Sequence, residues 1–187
     1  MKTKQELRTL IKENRERMKK SEAKEKSSQI LYHLTSLPAF FRADVIHTYV
    51  SSKKNEVDTH DFIKLMLKHK KRIVVPISDM QTKLMKHSEI FSLSELSAGT
   101  LGILEPKMYR PVSVADLDVI IVPAIAVDRK GNRLGFGAGF YDRFLHALQL
   151  PTIVLAYDHQ VVPEVPREEF DVPVNYIVTE SEIIQCG

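Results

Sequence analysis

Val119-Ile-Ile-Val122, closed by Pro123 and followed by Gly131-Asn-Arg-Leu-Gly-Phe-Gly-Ala-Gly-Phe-Tyr-Asp142, reads as a buried strand, a glycine-rich loop and the opening of a helix. A short run of apolar, β-branched residues with no polar alternation suits a strand covered on both faces. Outward from it the same grammar repeats. Val45 to Val50, Ile73 to Val75 closed by Pro76, Ile153 to Tyr157 and Tyr176 to Val178 read as strands, with a weaker signal at Lys83 to Met85 and a turn at Gly99 to Gly102. Between them lie helices. Lys4 to about Lys20 carries Leu7, Leu10, Ile11 and Met18 on one stripe. Ser21 can cap a second helix that carries Ile30, Leu31 and Leu34 and stops before Pro38. Asp58 or Thr59 can cap a helix with Phe62, Ile63, Met66 and Leu67, and Phe140 to Leu150 forms another. Strand and helix in alternation predict a three-layer α/β/α fold, a mostly parallel, Rossmann-like open sheet with an N-terminal helical segment, as one domain over 1–187.

Composition narrows the function. The 187 residues are 43% apolar and 27% charged, enough to bury a core. A single cysteine, Cys186, excludes an internal disulfide and any multi-cysteine zinc site. No apolar run approaches the ~20 residues of a membrane span, and the charged opening does not resemble a secretory signal, so a cytoplasmic protein is expected. The net charge of +3 conceals a basic opening: residues 1–26 hold ten Lys/Arg against five Glu, which leaves the rest at −2. Nucleic acid, a membrane or a phosphorylated small molecule could meet such a segment, as could solvent alone. No RNA-binding signature or aromatic interleaving supports nucleic acid.

The loop carries the chemistry. Four of the seven glycines fall between Gly131 and Gly139. Glycine lets backbone approach a ligand closely, and a loop between strand and helix aims free N–H groups and the positive helix end at one point, which suits phosphate. Arg133 adds a forked cation. The Walker pattern fails because no Lys followed by Ser or Thr comes after the last glycine, and the dinucleotide fingerprint fails on glycine spacing. Asp142 near the helix start can cap that helix or hold Mg²⁺. Glu56, beyond the strand ending near Val50, can be a helix N-terminal charge or a ligand group at the sheet's C-terminal edge.

Pro123-Ala-Ile-Ala-Val-Asp128 together with Gly131 to Arg143 closely resembles the signature of the 5-formyltetrahydrofolate cyclo-ligase family. The likeness extends over nearly the whole chain, through Lys4-x-x-x-Arg8, Tyr49-Val-Ser, Glu56-Val-Asp-Thr59, Val75-Pro76, Gly102-Ile-Leu-Glu-Pro106, Leu155 to Gln160, Asp171 and Val178-Thr-Glu180. It implies ATP- and Mg²⁺-dependent conversion of 5-formyltetrahydrofolate to 5,10-methenyltetrahydrofolate with release of ADP and phosphate. By the same resemblance Lys4, Arg8, Arg133, Leu134, Gly135, Phe136, Gly137, Ala138, Gly139, Phe140 and Tyr141 hold ATP. Val50, Ser51, Glu56, Gly137 and Tyr141 border the folate, Asp142 and Asp171 hold the metal, and Arg133 and Tyr141 serve the reaction. Tyr157 is a lesser candidate for the cleft, and Lys12, Arg15, Arg17, Lys19 and Lys20 are expected to be solvated. Many relatives carry a cation or glycine where Ala138 stands and a tyrosine where Phe140 stands. The implied partners are ATP and 5-formyltetrahydrofolate, with no nucleic acid and no membrane, for a monomer. A nucleotide-binding module without turnover is the alternative of another class. The seven histidines lack metal-ligand spacing, and no nucleophile-elbow serine is present.

Overall fold

In chain order the elements are α1 (Lys4–Arg17), α2 (Lys20–Ser36), α3 (Pro38–Phe41), β1 (Val45–Thr48), α4 (His60–Lys68), β2 (Arg72–Ser78), β3 (Met85–Ile90), β4 (Leu96–Ala98), β5 (Leu104–Pro106), β6 (Val119–Val122), β7 (Ala126–Val127), β8 (Arg133–Leu134), α5 (Phe140–Leu145), β9 (Thr152–Leu155), β10 (Tyr176–Val178) and β11 (Ile183–Gln185). The computed structural model describes residues 2–99 and 102–187, so Thr100 and Leu101 of the expected turn lie outside the described residues. A seven-stranded sheet runs β11-β10-β9-β6-β1-β2-β3. Its inner strands are parallel, and only the edges β3 and β11 are antiparallel. β1 lies between β6 and β2, so the chain leaves β1 in one direction through α4 to β2 and later returns to its other side. That reversal opens a crevice beyond the C-terminal ends of β1 and β6.

Side-chain alternation divides the core. Ile46, Ile73, Val75, Val119, Ile121, Ile153 and Leu155 face α2, α3 and α4 in one cluster. Val45, Val74, Ile120, Val122, Val154 and Ile177 face α5 in the other. A third cluster seats α1 on the β7–β8 hairpin, where Leu7 and Ile11 meet Ile125, Ala126 and Leu134. The hairpin begins just after β6, so α1 is brought to the same end of the sheet as the crevice.

Several expected boundaries move. β2 runs through Pro76 to Ser78, because Pro76 lies past the last β1 partner, where β2 pairs only with β3. β3 begins at the weak signal near Met85 and continues to Ile90. The glycine loop contains strand β8, and the helix after it ends at Leu145 rather than Leu150. Ser21 caps nothing: the α2 N-cap is Lys19, without a side-chain bond. Thr59 occupies the α4 N-cap, but the Asp58 carboxylate accepts the His60 N–H at 2.8 Å. Arg15, expected in solvent, is buried with its Nε unpartnered. It continues the four-residue spacing of Leu7 and Ile11, which places it on the inward face.

Beneath the crevice, His47 Nε2 and His87 Nδ1 lie 3.2 Å apart, against Phe144 at 5.0 and 4.4 Å and Tyr141 at 6.2 Å. Burial, with His87 adding to it, pushes His47 well below the ordinary imidazole value, and burial also lowers His87. In the unfolded chain both take up protons near pH ~6.5, so below that pH the unfolded state binds more protons. Stability from this pair is therefore complete above about pH 6.5 and falls on acidification, by up to about 1.4 kcal/mol per pH unit per histidine. Urea unfolding between about pH 7 and pH 5 should register that fall, and His47→Phe should flatten it.

Candidate active site

A cavity of about 870 Å³ occupies the crevice. It is large for one drug-sized ligand, for which about 300–1,000 Å³ is usual. Tyr49 and Val50 after β1, Pro76 and Ser78 on β2, and Pro123 after β6 form its floor, while Lys4 and Arg8 of α1 and the whole run from Arg133 to Asp142 form one flank.

The glycine loop is built as a donor surface. From Gly135 to Asp142, among the described residues, no backbone N–H donates to a protein acceptor; the first bond after the loop is Arg143 N–H to the Gly139 carbonyl at 3.2 Å. Gly139 is the α5 N-cap in the left-handed region (φ +68°), a turn that sends the chain from loop to helix without losing these donors. Gly131 serves otherwise. It is absent from the lining, and a Cβ there would come within 2.4 Å of the Val174 carbonyl, so it permits a close backbone crossing.

Cations and carboxylates alternate around these donors. Arg133 is buried and its Nη2 donates to Asp142 Oδ1 at 2.6 Å, while its Nε has no partner. Burial lowers the guanidinium's affinity for its proton, yet an arginine remains charged. Arg8 Nε donates to the Gly135 carbonyl at 3.1 Å, which straps α1 to the loop. Lys4 Nζ lies 2.8 Å from Asp171 Oδ2 and 3.1 Å from Glu168 Oε1. Burial alone would lower Lys4, but bonds to Asp171 and Glu168 outweigh it and hold its pKa above the ordinary value. Asp171 shows the converse: burial would raise it, and bonds from Lys4 and the Glu168 amide bring it below the usual carboxylate value. Asp142 also accepts the Val172 N–H at 3.4 Å, which draws the Asp171 segment to the loop. A threonine–glutamate capping box, Thr3 with Glu6, fixes the start of α1 beside Lys4. The spacing Thr3-x-x-Glu6 signals that box in the sequence.

Glu56 and Val50 occupy the opposite flank. Glu56 Oε2 accepts the N–H groups of Ser52 and Lys53 at 3.0 and 3.1 Å, so its own loop orients the carboxylate. Asn55, in the left-handed region at φ 49°, donates to the Arg15 and Met18 carbonyls at 2.8 and 2.7 Å. One end of α1 thus holds the glycine loop and the other holds the Glu56 loop.

Apart from Ser51 and the lesser candidate Tyr157, the expected site residues meet on the cavity wall: Lys4, Arg8, Val50, Glu56, Arg133 to Asp142 and Asp171. Ser51 does not. Its N–H donates to Thr59 Oγ1 at 2.8 Å and its hydroxyl turns to Asp58, toward α4. Tyr157 is core, its hydroxyl bonded to Ser27 at 3.1 Å. Tyr141, by contrast, lines the cavity; its hydroxyl is buried with no partner, and burial raises its pKa, so it stays protonated. Gln5, Met85 and Glu168 line the cavity unannounced by any motif, and Thr3, Ile103 and Leu104 line it from motifs that gave them no site role.

The fold is of the open-sheet α/β class, with its cleft at the strand-order reversal and the glycine loop on one flank. The model of the 5-formyltetrahydrofolate cyclo-ligase family matches residues 1–180, and the chain belongs to that family. The 5-formyltetrahydrofolate cyclo-ligase of Escherichia coli K12 is 31% identical over 180 residues, covering 93% of this chain and 98% of that protein. That of Haemophilus influenzae is 30% identical over 179 residues, covering 91% and 94%. The structure of Aquifex aeolicus 5,10-methenyltetrahydrofolate synthetase superposes with a TM-score of 0.85 at 32% identity, covering 97% of this chain and 92% of that one.

Proposed function

We propose that this chain converts 5-formyltetrahydrofolate to 5,10-methenyltetrahydrofolate using ATP and Mg²⁺, releasing ADP and phosphate. The observation that carries the nucleotide half is the run of unbonded N–H groups from Gly135 to Asp142 beside a buried arginine with a free Nε. Such a surface has no use for a neutral ligand and matches a polyphosphate tail. Membership of the family carries the folate half, with the oriented Glu56 carboxylate as its acceptor for pterin N–H groups. No described helix is long and apolar enough to cross a membrane.

The residues suit an activation that needs no protein nucleophile. The formyl oxygen attacks the γ-phosphorus, and ADP departs. The neighbouring folate nitrogen then attacks the activated carbon, loses its proton, and phosphate leaves as the ring closes. Arg133, Arg8 and the loop amides neutralise and align the phosphates. The Tyr141 hydroxyl, kept protonated by burial, donates a hydrogen bond to the oxygen under transfer. Asp142 and Asp171 each keep one carboxylate oxygen without a protein partner, a donor set that suits a hard divalent cation. Among the described residues no three His, Cys, Asp or Glu cluster, so Mg²⁺ would be shared with phosphate oxygens and water; bound there it supplies charge neutralisation at the phosphates.

Purified protein given 5-formyltetrahydrofolate, ATP and Mg²⁺ should develop the methenyl absorbance, and omitting ATP should abolish it. Protein that binds both substrates yet yields no absorbance sinks the assignment and favours a binding module. Asp142→Asn should raise the Mg²⁺ concentration for half-maximal rate about tenfold. An unchanged Mg²⁺ profile would leave Asp142 as the orienting partner of Arg133 alone.

A further inference from the structure

Arg143 lies one residue beyond the cradle, exposed on the outer side of α5 and absent from the cavity wall. Its bonds are nonetheless specific. Nη2 donates to the Ala138 carbonyl at 2.7 Å, Nε donates to the Lys83 carbonyl at 2.8 Å, and the guanidinium rests 5.6 Å from the Phe140 ring centre. Lys83 sits in the left-handed region (φ 59°) at the turn between β2 and β3, the hairpin whose Pro76, Ser78 and Met85 line the cavity. A Cβ on Gly139 would come 2.9 Å from Arg143 Nη1, so the guanidinium is packed directly on the loop.

We propose that Arg143 is a positioning residue for the nucleotide half of the site, acting through the Ala138 and Lys83 carbonyls; this rests on the ATP-dependent function above. In a planar trans peptide the C=O and the following N–H point in opposite directions. Holding the Ala138 carbonyl outward therefore turns the Gly139 N–H inward, toward the cavity that Gly139 lines. The second bond fixes the hairpin wall at a set distance from the loop. Only a planar fork with donors in two directions can do both; an ammonium on a flexible stem fixes neither carbonyl's direction. The loop needs such an external brace because Gly137 and Gly139 are the residues least restrained by their own backbone.

The test measures ATP affinity by calorimetry, folate affinity separately, steady-state KM for each substrate, and the Gly139 amide resonance by NMR. Arg143→Ala should weaken ATP binding about tenfold and raise the KM for ATP alike, with folate affinity held within about twofold. Arg143→Lys should recover little of the loss although it restores the charge. ATP should perturb the Gly139 amide strongly in the wild type and weakly in either variant. Wild-type affinity for ATP in Arg143→Ala overturns the proposal, as does an equal loss of ATP and folate affinity with a lowered melting temperature, which would mark a structural brace only. Full rescue by Arg143→Lys would replace positioning by simple charge and overturn it too. Wild-type protein that takes no ATP overturns the functional reading itself, whereas ATP binding by the wild type with an unaltered variant overturns this proposal alone.

Discussion

Arg133→Ala is expected to weaken ATP binding by about ten- to a hundredfold, to lower turnover further and to destabilise the fold. The guanidinium is already desolvated in the free protein, and only its Nη2 is engaged, by Asp142. Arg133 lines the cavity, and its Nε is buried without an acceptor. A phosphate oxygen meeting that donor forms a charge-assisted bond in a dry place, worth about 1.5–3 kcal/mol. Removing the side chain loses the bond and also exposes the Asp142 carboxylate to the phosphates, which adds repulsion. Stability should fall as well, by about 3 kcal/mol, because Asp142 is left largely buried without its ion-pair partner. Calorimetry with ATP, set beside urea unfolding, checks both halves. Arg133→Lys should recover the charge and part of the affinity but not the fork geometry. Equal ATP affinity in Arg133→Ala would move the phosphates away from this loop altogether.

The parts of this site legible in the sequence are those where one local pattern determines the outcome. Val119 to Val122 is the interior strand its apolar run predicts, and the glycines from Gly135 to Gly139 lie in the expected loop, which lines the cavity. Asp171 is of the opposite kind. It reaches the site through Lys4, 167 residues away in the chain, and no local spacing announces that bond; the family likeness alone pointed to it. β3 was hidden because Met85-Lys-His-Ser-Glu-Ile90 is mostly polar, with its buried His87 and Ser88 lying beneath α5 and against Arg110 rather than in an apolar layer. Pro76 misled in the other direction. A proline normally ends a central strand, but β2 passes its last β1 partner before Pro76 and continues as a pair with β3 alone. Arg15 was misjudged from its charge, although its spacing from Ile11 already placed it inward. Charge suggested solvent, periodicity predicted burial, and periodicity was right because the α1 seat fixes that face.

Tyr141→Phe should separate stability from activity in opposite directions. The Tyr141 hydroxyl is buried without a protein partner, so in the free enzyme it has lost water and gained nothing in return. Deleting it should therefore stabilise the fold by about 1 kcal/mol, or raise the melting temperature by about 2–4 °C for a chain of this size. In the proposed reaction the same deletion removes the donor to the oxygen under transfer, and should lower turnover about a hundredfold. The residue before it is Phe140, so no neighbouring hydroxyl can substitute. Nor can a change of pH supply the loss, since burial keeps the wild-type phenol protonated and the donor is present throughout the working range. A core tyrosine gives the contrary signature: the Tyr157 hydroxyl is satisfied by Ser27, and its deletion leaves a buried serine short of a partner. Thermal unfolding and the methenyl assay on the same preparation of Tyr141→Phe decide the matter. A gain in stability with loss of turnover marks a group kept unsatisfied for its substrate. A variant as active as the wild type would show that the hydroxyl is incidental to the chemistry, and would leave Arg133 and the loop amides to stabilise the transferring phosphoryl group without it.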